Sequence, residues 1–214
     1  MRLRCQKALV VFISVRPYRK SDLDQLLQVY KSAFAEPPWN EYLKCSNCGV
    51  EYGRYEAANE KCKKCEKPLH MIEFWSNSDI IADLEFALNQ PNPIVLVAEL
   101  GSELAGMSWG YKIPFDKFPF LKGKIPAESS YMDEIAVRGD RRRIGIGKAL
   151  GRAFIEASKN LSEVVLRTDE RNPASIALFK RLGFSAIPDP KNPRGLVYDQ
   201  QYPNRIYLRS EVAK

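Results

Sequence analysis

Two patterns in this chain have residue types and spacing suited to chemistry. One is Arg142-Arg143-Ile144-Gly145-Ile146-Gly147, which follows the apolar stretch Ile135-Ala136-Val137. It opens a run with helical period: Ile146, Ala149, Leu150, Ala153, Phe154 and Ala157. A strand that turns through two glycines into a helix leaves a row of unpaired backbone N–H groups at a positive dipole end, and such a row holds phosphate. A Cβ at Gly145 or Gly147 would keep a diphosphate away from that backbone. The other pattern is Cys45-x2-Cys48 and Cys62-x2-Cys65, with thirteen residues between the pairs. Each pair makes a tight knuckle, and two knuckles close a tetrahedron of sulfurs about 2.3 Å from a Zn2+ ion.

Gly49 and Gly53 allow the knuckle turns, and Lys44, Arg54, Lys61, Lys63, Lys64 and Lys67 offset the charge of four thiolates. A closed all-thiolate site keeps no position for water or substrate, so the metal reads as a staple replacing a small hydrophobic core. Two disulfides and a rubredoxin-like iron fit the same spacing and stay open as alternatives. Cys5 stands outside the set as a free thiol, and His70 is a poor fifth ligand.

The elements that must position these patterns follow from apolar period and chain breakers. Residues 10–16 read as a strand. Ser21-Asp22 caps a helix carrying Leu23, Leu26, Leu27, Tyr30 and Phe34 on one face, which Pro37-Pro38 ends. After the cysteine segment, Ser78 caps a second helix, Asp79–Gln90, with Ile80, Ile81, Leu84 and Leu88 on its apolar face. Residues 94–100 and 104–113 form a hairpin, and a loop over 114–129 leads to a strand at 131–137. Val164-Val165-Leu166 reads as a buried strand. Asn172 then caps a helix, Pro173 suits its first turn, and Gly183 suits its stop. A proline-rich tail leads to a last strand at 205–209.

The pattern Arg-x-x-Gly-x-Gly, followed by a strand and by Asn-x-x-Ser-x-x-Leu-Phe-x-x-x-Gly-Phe, resembles the GNAT superfamily of acyl-CoA-dependent N-acyltransferases. The resemblance covers about residues 10–210, apart from the cysteine insertion. It implies an α/β (α+β) fold with a mixed central sheet flanked by helices, its middle strands splayed apart around the cofactor. One domain would span residues 1–214, with the metal-binding insertion at 40–69 between the first two helices. The implied reaction is direct transfer of an acetyl group from acetyl-CoA to a primary amine of a small molecule or of a protein or peptide. No covalent enzyme intermediate is required, which suits a chain with one histidine and no evident nucleophile triad.

The same resemblance assigns roles. Asp133 and Glu134, on the strand before the phosphate turn, are the candidate bases, and Glu134 is preferred. Strand alternation sends the two side chains to opposite faces, so one of them would meet the amine. Ile135 and Val137 would lie along the pantetheine arm, the Val137 backbone hydrogen-bonding it, with Arg138 nearby. Arg142, Arg143, Gly145, Ile146, Gly147 and Lys148 would surround the diphosphate, and Asn172 and Phe179 would contact the cofactor arm. Many family members carry tyrosine at the Phe179 position to protonate the leaving thiolate, which phenylalanine cannot do. Tyr131, Tyr198, Tyr202, Tyr207 or water would have to substitute. Acceptor selection would come from residues 36–41, the metal insertion and residues 115–120. There Trp39, Trp75, Trp109, Phe115 and Phe118 could make an aromatic wall, and Glu36 and Glu41 could attract a cationic amine.

Bulk properties agree. The chain has 214 residues, 45% of them hydrophobic, enough for one filled core. Its formal net charge of +7 suits an anionic cofactor and does not by itself indicate nucleic acid. No apolar run reaches the roughly twenty residues of a membrane span. The basic start runs straight into the first strand without a cleavage site, so a cytoplasmic protein is the default. A homodimer is compatible with the sequence. The rival reading is a non-catalytic coenzyme A binder, or a zinc-ribbon protein that grips nucleic acid or a protein partner.

Overall fold

The computed structural model describes residues 12–56 and 59–211. Cys5 and the first two residues of the expected 10–16 strand lie outside them. In chain order the elements are β1 (Ile13–Pro17), α1 (Leu23–Phe34), β2 (Leu43–Cys45), β3 (Glu51–Tyr52), β4 (Met71–Glu73) and α2 (Asn77–Leu88). Then come β5 (Ile94–Leu100), β6 (Glu103–Lys112), β7 (Ser129–Val137), α3 (Ile146–Ala157) and β8 (Glu163–Asp169). The chain ends with α4 (Pro173–Arg181), β9 (Ser185–Ala186) and β10 (Arg205–Glu211). Seven strands form one sheet in the order β1-β5-β6-β7-β8-β10-β9, antiparallel throughout except for the β7–β8 pair. This is the mixed sheet the sequence leads one to expect. Among the described residues no helix is long and apolar enough to cross a membrane.

Helices cover both faces. Leu26, Tyr30 and Phe34 of α1, with Ile80 and Leu84 of α2, pack on Met107, Trp109 and Tyr111 of β6. On the other face Ile146, Leu150 and Phe154 of α3 meet Ala98, Ala105 and Leu166, joined by Phe179 of α4. The buried residues of α3 recur at positions 146, 150 and 154, one helical face against a flat sheet.

Three local expectations are corrected. Ser76, not Ser78, caps α2, because its hydroxyl reaches the Asp79 N–H (3.2 Å) while the Asp79 carboxylate returns to the Ser76 N–H (3.2 Å). The inward stripe of α2 is therefore Ile80, Leu84 and Ala87, and Leu88 is exposed. Ser21 caps nothing: residues 20–22 form a 3-10 turn, and Asp22 serves the Arg19 N–H (2.7 Å) and the Arg16 guanidinium. Finally, the inserted sheet, ordered β3-β2-β4, reaches Glu73, beyond the expected end at residue 69.

The feature that shapes the site lies in the centre of the large sheet. Gly110 pairs with Met132, but the next residue back, Trp109, pairs with Glu134. Asp133 is the extra residue of a β-bulge, opposed by nothing on β6. On its other edge β7 follows β8 only from Ser129–Glu163 to Met132–Leu166. Beyond Met132 the two strands part, β8 staying with β10 as far as the Asp169–Arg205 pair. Bulge and separation thus begin at the same residue. Gly110 makes this possible, since a Cβ there would sit 2.0 Å from the Tyr131 carbonyl oxygen and 2.6 Å from the Phe154 ring.

Gly110→Ala should therefore destabilise the chain by about 1–3 kcal/mol, an overpacking cost in a rigid core. A denaturant midpoint equal to that of the parent would contradict this account of the bulge.

Candidate active site

Between the parted strands lies a cavity of about 600 Å3. β7 contributes Met132, Asp133, Glu134 and Ile135; β8 contributes Leu166, Arg167, Thr168 and Asp169. Tyr30, Trp39, Phe74, Trp75 and Trp109 form an aromatic wall, and Phe179 and Tyr202 stand on other sides. All three tryptophans face this space, whereas Phe115 and Phe118 pack against the main core instead.

Both carboxylates of the bulge face the cavity, which corrects the expectation that alternation would divert one of them. An inserted residue breaks the period of two, so consecutive side chains share a face. The Tyr111 hydroxyl donates to Asp133 Oδ2 at 3.0 Å. Burial pushes the Asp133 carboxyl up to about 6, against the opposing pull of Tyr111 and of the Arg167 charge. Glu134 is driven well above the usual carboxylate range, first by burial and then by the Asp133 charge. Glu134 needs its proton more because Asp133 beside it carries a charge, while Asp133 feels the charge of Asp83 on α2. Arg167 tempers the pair from β8, its guanidinium held by Asp199 at 2.7 Å. An arginine inside the apolar strand Glu163–Asp169 was the available sequence signal for this role.

The strand separation also frees backbone. The Arg138 N–H donates to the Ala105 carbonyl on β6 at 3.0 Å. Ladder alternation then turns the N–H groups of Val137 and Ile135 the other way, into the gap. Past Val137 the chain passes a 3-10 turn at residues 139–141 and enters α3 through Gly145, which takes a left-handed φ of 101°. Arg143 also has positive φ, 68°, and with Lys148 it is exposed beside the first turn of α3. The turn has the shape expected of a Gly-x-Gly segment that opens a helix, with the N–H groups of its first turn at the positive end of the helix dipole.

The side chains expected around it divide. The Arg142 guanidinium is engaged by the Ala33 carbonyl (2.7 Å) and by Glu36 (3.4 Å), which ties the turn to the end of α1. That occupies Glu36 away from the cavity, contrary to expectation. Arg138 is paired with Asp140 (3.0 Å). Ile146 is buried at 1% exposure, leaving only its backbone for a ligand. Gly147 faces α4, where a Cβ would come within a tight 3.2 Å of the Leu178 side chain, so helix packing by itself favours glycine there. Asn172 caps α4 by accepting from the Ser175 N–H (3.1 Å).

Phe179 lies at the cavity edge, stacked edge-on to Phe184. Of the four tyrosines considered as its substitute, Tyr202 alone lines the cavity. Tyr198 donates to Glu170 (3.0 Å), Tyr207 donates to Asp199 (2.9 Å), and Tyr131 is buried in the core. Sequence reasoning missed Tyr30, Asp83, Arg167 and Arg205, whose arrival in one cavity depends on four separate elements.

The inserted element brings Cys45, Cys48, Cys62 and Cys65 together, their sulfurs all within 4.8 Å of one another. Cys45 and Cys65 Sγ are 3.9 Å apart, and Cys48 and Cys62 Sγ 3.6 Å. Bonded sulfurs would be about 2.05 Å apart. Ligands at about 2.3 Å from a common tetrahedral centre would be about 3.8 Å apart, so the set has metal-site geometry. The residue after each knuckle is left-handed: Gly49 at 69°, and Glu66 at 58° where glycine would be easier. Gly53 serves differently, leaving space for the Asn40 side chain. His70 is not among the clustered ligands.

Comparison with known proteins agrees with this geometry. Residues 55–184 match the model of the Acetyltransferase (GNAT) family. Over 99 residues the chain is 34% identical to an N-alpha-acetyltransferase of Sulfurisphaera tokodaii, a match that covers 42% of this chain and 56% of that relative. The chain thus spans little more than half of the relative's length. The fold is similar to the ribosomal-protein-S18-alanine N-acetyltransferase of Escherichia coli (TM-score 0.54, 16% identity, 95% of this chain and 96% of that one). It is also similar to the PaiA N-acetyltransferase of Thermoplasma acidophilum, solved in complex with coenzyme A (TM-score 0.57, 14% identity, 94% and 99% covered). With the parted strands, the Gly-x-Gly turn and a family match over most of the chain, this protein belongs to the GNAT family of acetyltransferases.

Proposed function

We propose that the chain transfers an acetyl group from acetyl-CoA to a primary amine, with Glu134 and Asp133 as the proton-accepting pair. The observation that carries this reading is their shared position at the bulge, where the strands part and the chain runs on to the Gly-x-Gly turn. The diphosphate would rest on the N–H groups around Gly145 and Gly147, with Arg143 and Lys148 beside it. The pantetheine arm would follow the freed N–H groups of Ile135 and Val137.

An alkylamine of pKa about 10.4 is only about 0.04% neutral at pH 7, so a base beside it matters. The carboxylate pair takes the ammonium proton, and the freed nitrogen attacks the thioester carbonyl carbon. A C–N bond forms, the C–S bond breaks and the sulfur leaves with the electron pair; the nitrogen gives up its second proton as the amide forms, and the leaving sulfur takes up one in its place. Tyr202 is the candidate donor of a proton to that sulfur. Leaving as thiolate is also accessible to a thiol of pKa about 8.5. Elevated carboxyl pKa values suit this work, because a base titrating near the working pH accepts a proton more readily than a carboxylate near 4.

The four-cysteine set supports one structural Zn2+ held by Cys45, Cys48, Cys62 and Cys65. The ion would fasten an element whose own core is small, Tyr52 being its one buried large side chain besides two of the cysteines among the described residues. Unpaired thiols support a reducing compartment such as the cytoplasm.

Gly147→Glu should abolish acetyl-CoA binding in calorimetry while far-UV circular dichroism stays unchanged; retained binding would refute this placement of the diphosphate. Glu134→Gln should lower kcat by about 10^2-fold or more. In the parent, kcat/KM should fall as pH drops through about 6, where Asp133 takes up its proton. A rate indifferent to both would move the base elsewhere. Because the folded state holds that proton more tightly than the unfolded one, the Asp133 charge costs stability once pH exceeds its folded value. Asp133→Asn should therefore melt higher than the parent at pH 7–8, with the difference vanishing below about pH 4. Metal analysis of the reduced protein should return about one zinc per chain, and chelation should lower the melting temperature.

A further inference from the structure

The charge of the cavity narrows the acceptor, on the premise that the acetyl-transfer reading above holds. Glu41, Glu51, Asp83, Asp133 and Glu134 line it, and none of them has an ion-pair partner among the described residues. Such segregation stands out in a chain with a formal net charge of +7. The three cavity arginines make their direct contacts elsewhere, although Arg167 acts on the bulge pair and Arg205 on Glu41 at longer range. Arg167 holds Asp199 (2.7 Å) and Arg171 holds Asp169 (2.7 Å). Arg205 lies over the rings of Trp39 (5.2 Å) and Tyr202 (4.2 Å).

The carboxylates come from two parts of the fold. Asp133 and Glu134 occupy the bulge, while Glu41 and Glu51 come from the inserted element and Asp83 from α2. Glu41 is fixed by the Trp75 indole N–H at 2.8 Å. The same cavity is lined by the aromatic rings of Trp39, Phe74, Trp75 and Trp109, surfaces that hold both cations and alkyl stems. Tyr30 adds an independent sign of a missing ligand. It is 1% exposed and lines the cavity, yet its hydroxyl makes no hydrogen bond to the described residues. That hydroxyl lies in the field of Glu134, Asp83, Glu41 and Asp133, where an ammonium donor would complete it.

We propose that the acceptor is a linear alkyl diamine or polyamine, one amine at the bulge carboxylates and a second ammonium held by Glu41 and Asp83 among the rings. A monoamine leaves Glu41 and Asp83 uncompensated. The cavity of about 600 Å3 takes an extended alkyl chain and excludes a folded acceptor surface. The inserted element, by supplying Glu41 and Glu51 and by placing Trp39 and Trp75 at its two ends, would then set acceptor choice rather than catalysis.

The test compares 1,4-diaminobutane and spermidine with butylamine and with a short peptide bearing a free N-terminus. Binding to the protein–coenzyme A complex is measured by calorimetry, and turnover by thiol release. The diamines should bind at least about tenfold tighter than butylamine, the scale of one charged hydrogen bond. Glu41→Gln keeps an oxygen for Trp75 and, combined with Asp83→Asn, should close most of that gap. Equal affinity for mono- and diamines, a gap that survives the double substitution, or preferred acetylation of the peptide would overturn the proposal. Tight diamine binding without turnover would uphold the two-ammonium site but refute the acetyl-transfer reading, and with it the diamine's role as acceptor. Efficient transfer to butylamine with no diamine preference would do the reverse.

Discussion

The bulge at Asp133 is the constraint on which the site depends. One extra residue in β7 breaks the alternation of the strand, brings consecutive carboxylates to one face, and coincides with the loss of pairing to β8. A regular strand here would have buried one carboxylate beneath α3 and left no gap. The bulge survives because Gly110 permits the Tyr131 carbonyl to approach within a distance that any side chain would block. The geometry of the proposed base pair thus rests on backbone register in a seven-stranded sheet.

That arrangement works against stability. Carboxylates turned away from water hold their protons more tightly and cost free energy when ionised, and the Asp133 charge adds to that cost at Glu134. Arg167 offsets part of this from β8, but Asp199 holds it, and it cannot neutralise both. The surrounding core compensates: Trp109 stacks on Tyr30 with ring centres 5.6 Å apart, and Trp75 meets the same ring edge-on at 5.6 Å. These rings are wall and support together, which explains why tryptophans that look like ordinary core in the sequence also border the cavity.

The inserted element reaches the site through its margins. Its cysteines lie away from the cavity, yet Trp39 and Glu41 precede the first knuckle and Phe74 and Trp75 follow the last strand. A metal held by the knuckles, as proposed, would fix the two ends of the insertion and with them one wall of the cavity.

What the sequence determined by itself was local. The Gly-x-Gly turn, the Asn172 cap and the cysteine knuckles each depend on a few adjacent residues, and each formed where the residues indicated. The order of strands and helices was also legible, because apolar period and breakers are properties of short windows. The bulge, by contrast, exists only when β7 is laid against β6, and nothing in Tyr131–Val137 alone marks Asp133 as the extra residue. Arg142 and Glu36 had the right chemistry for a ligand, but the end of α1 claimed them. Glu41, Asp83, Arg167 and Tyr30 are distant in sequence and meet only because helices and strands pack around one gap. Short-range preferences fixed the parts; register and packing, which couple residues dozens of positions apart, decided which of them share a site.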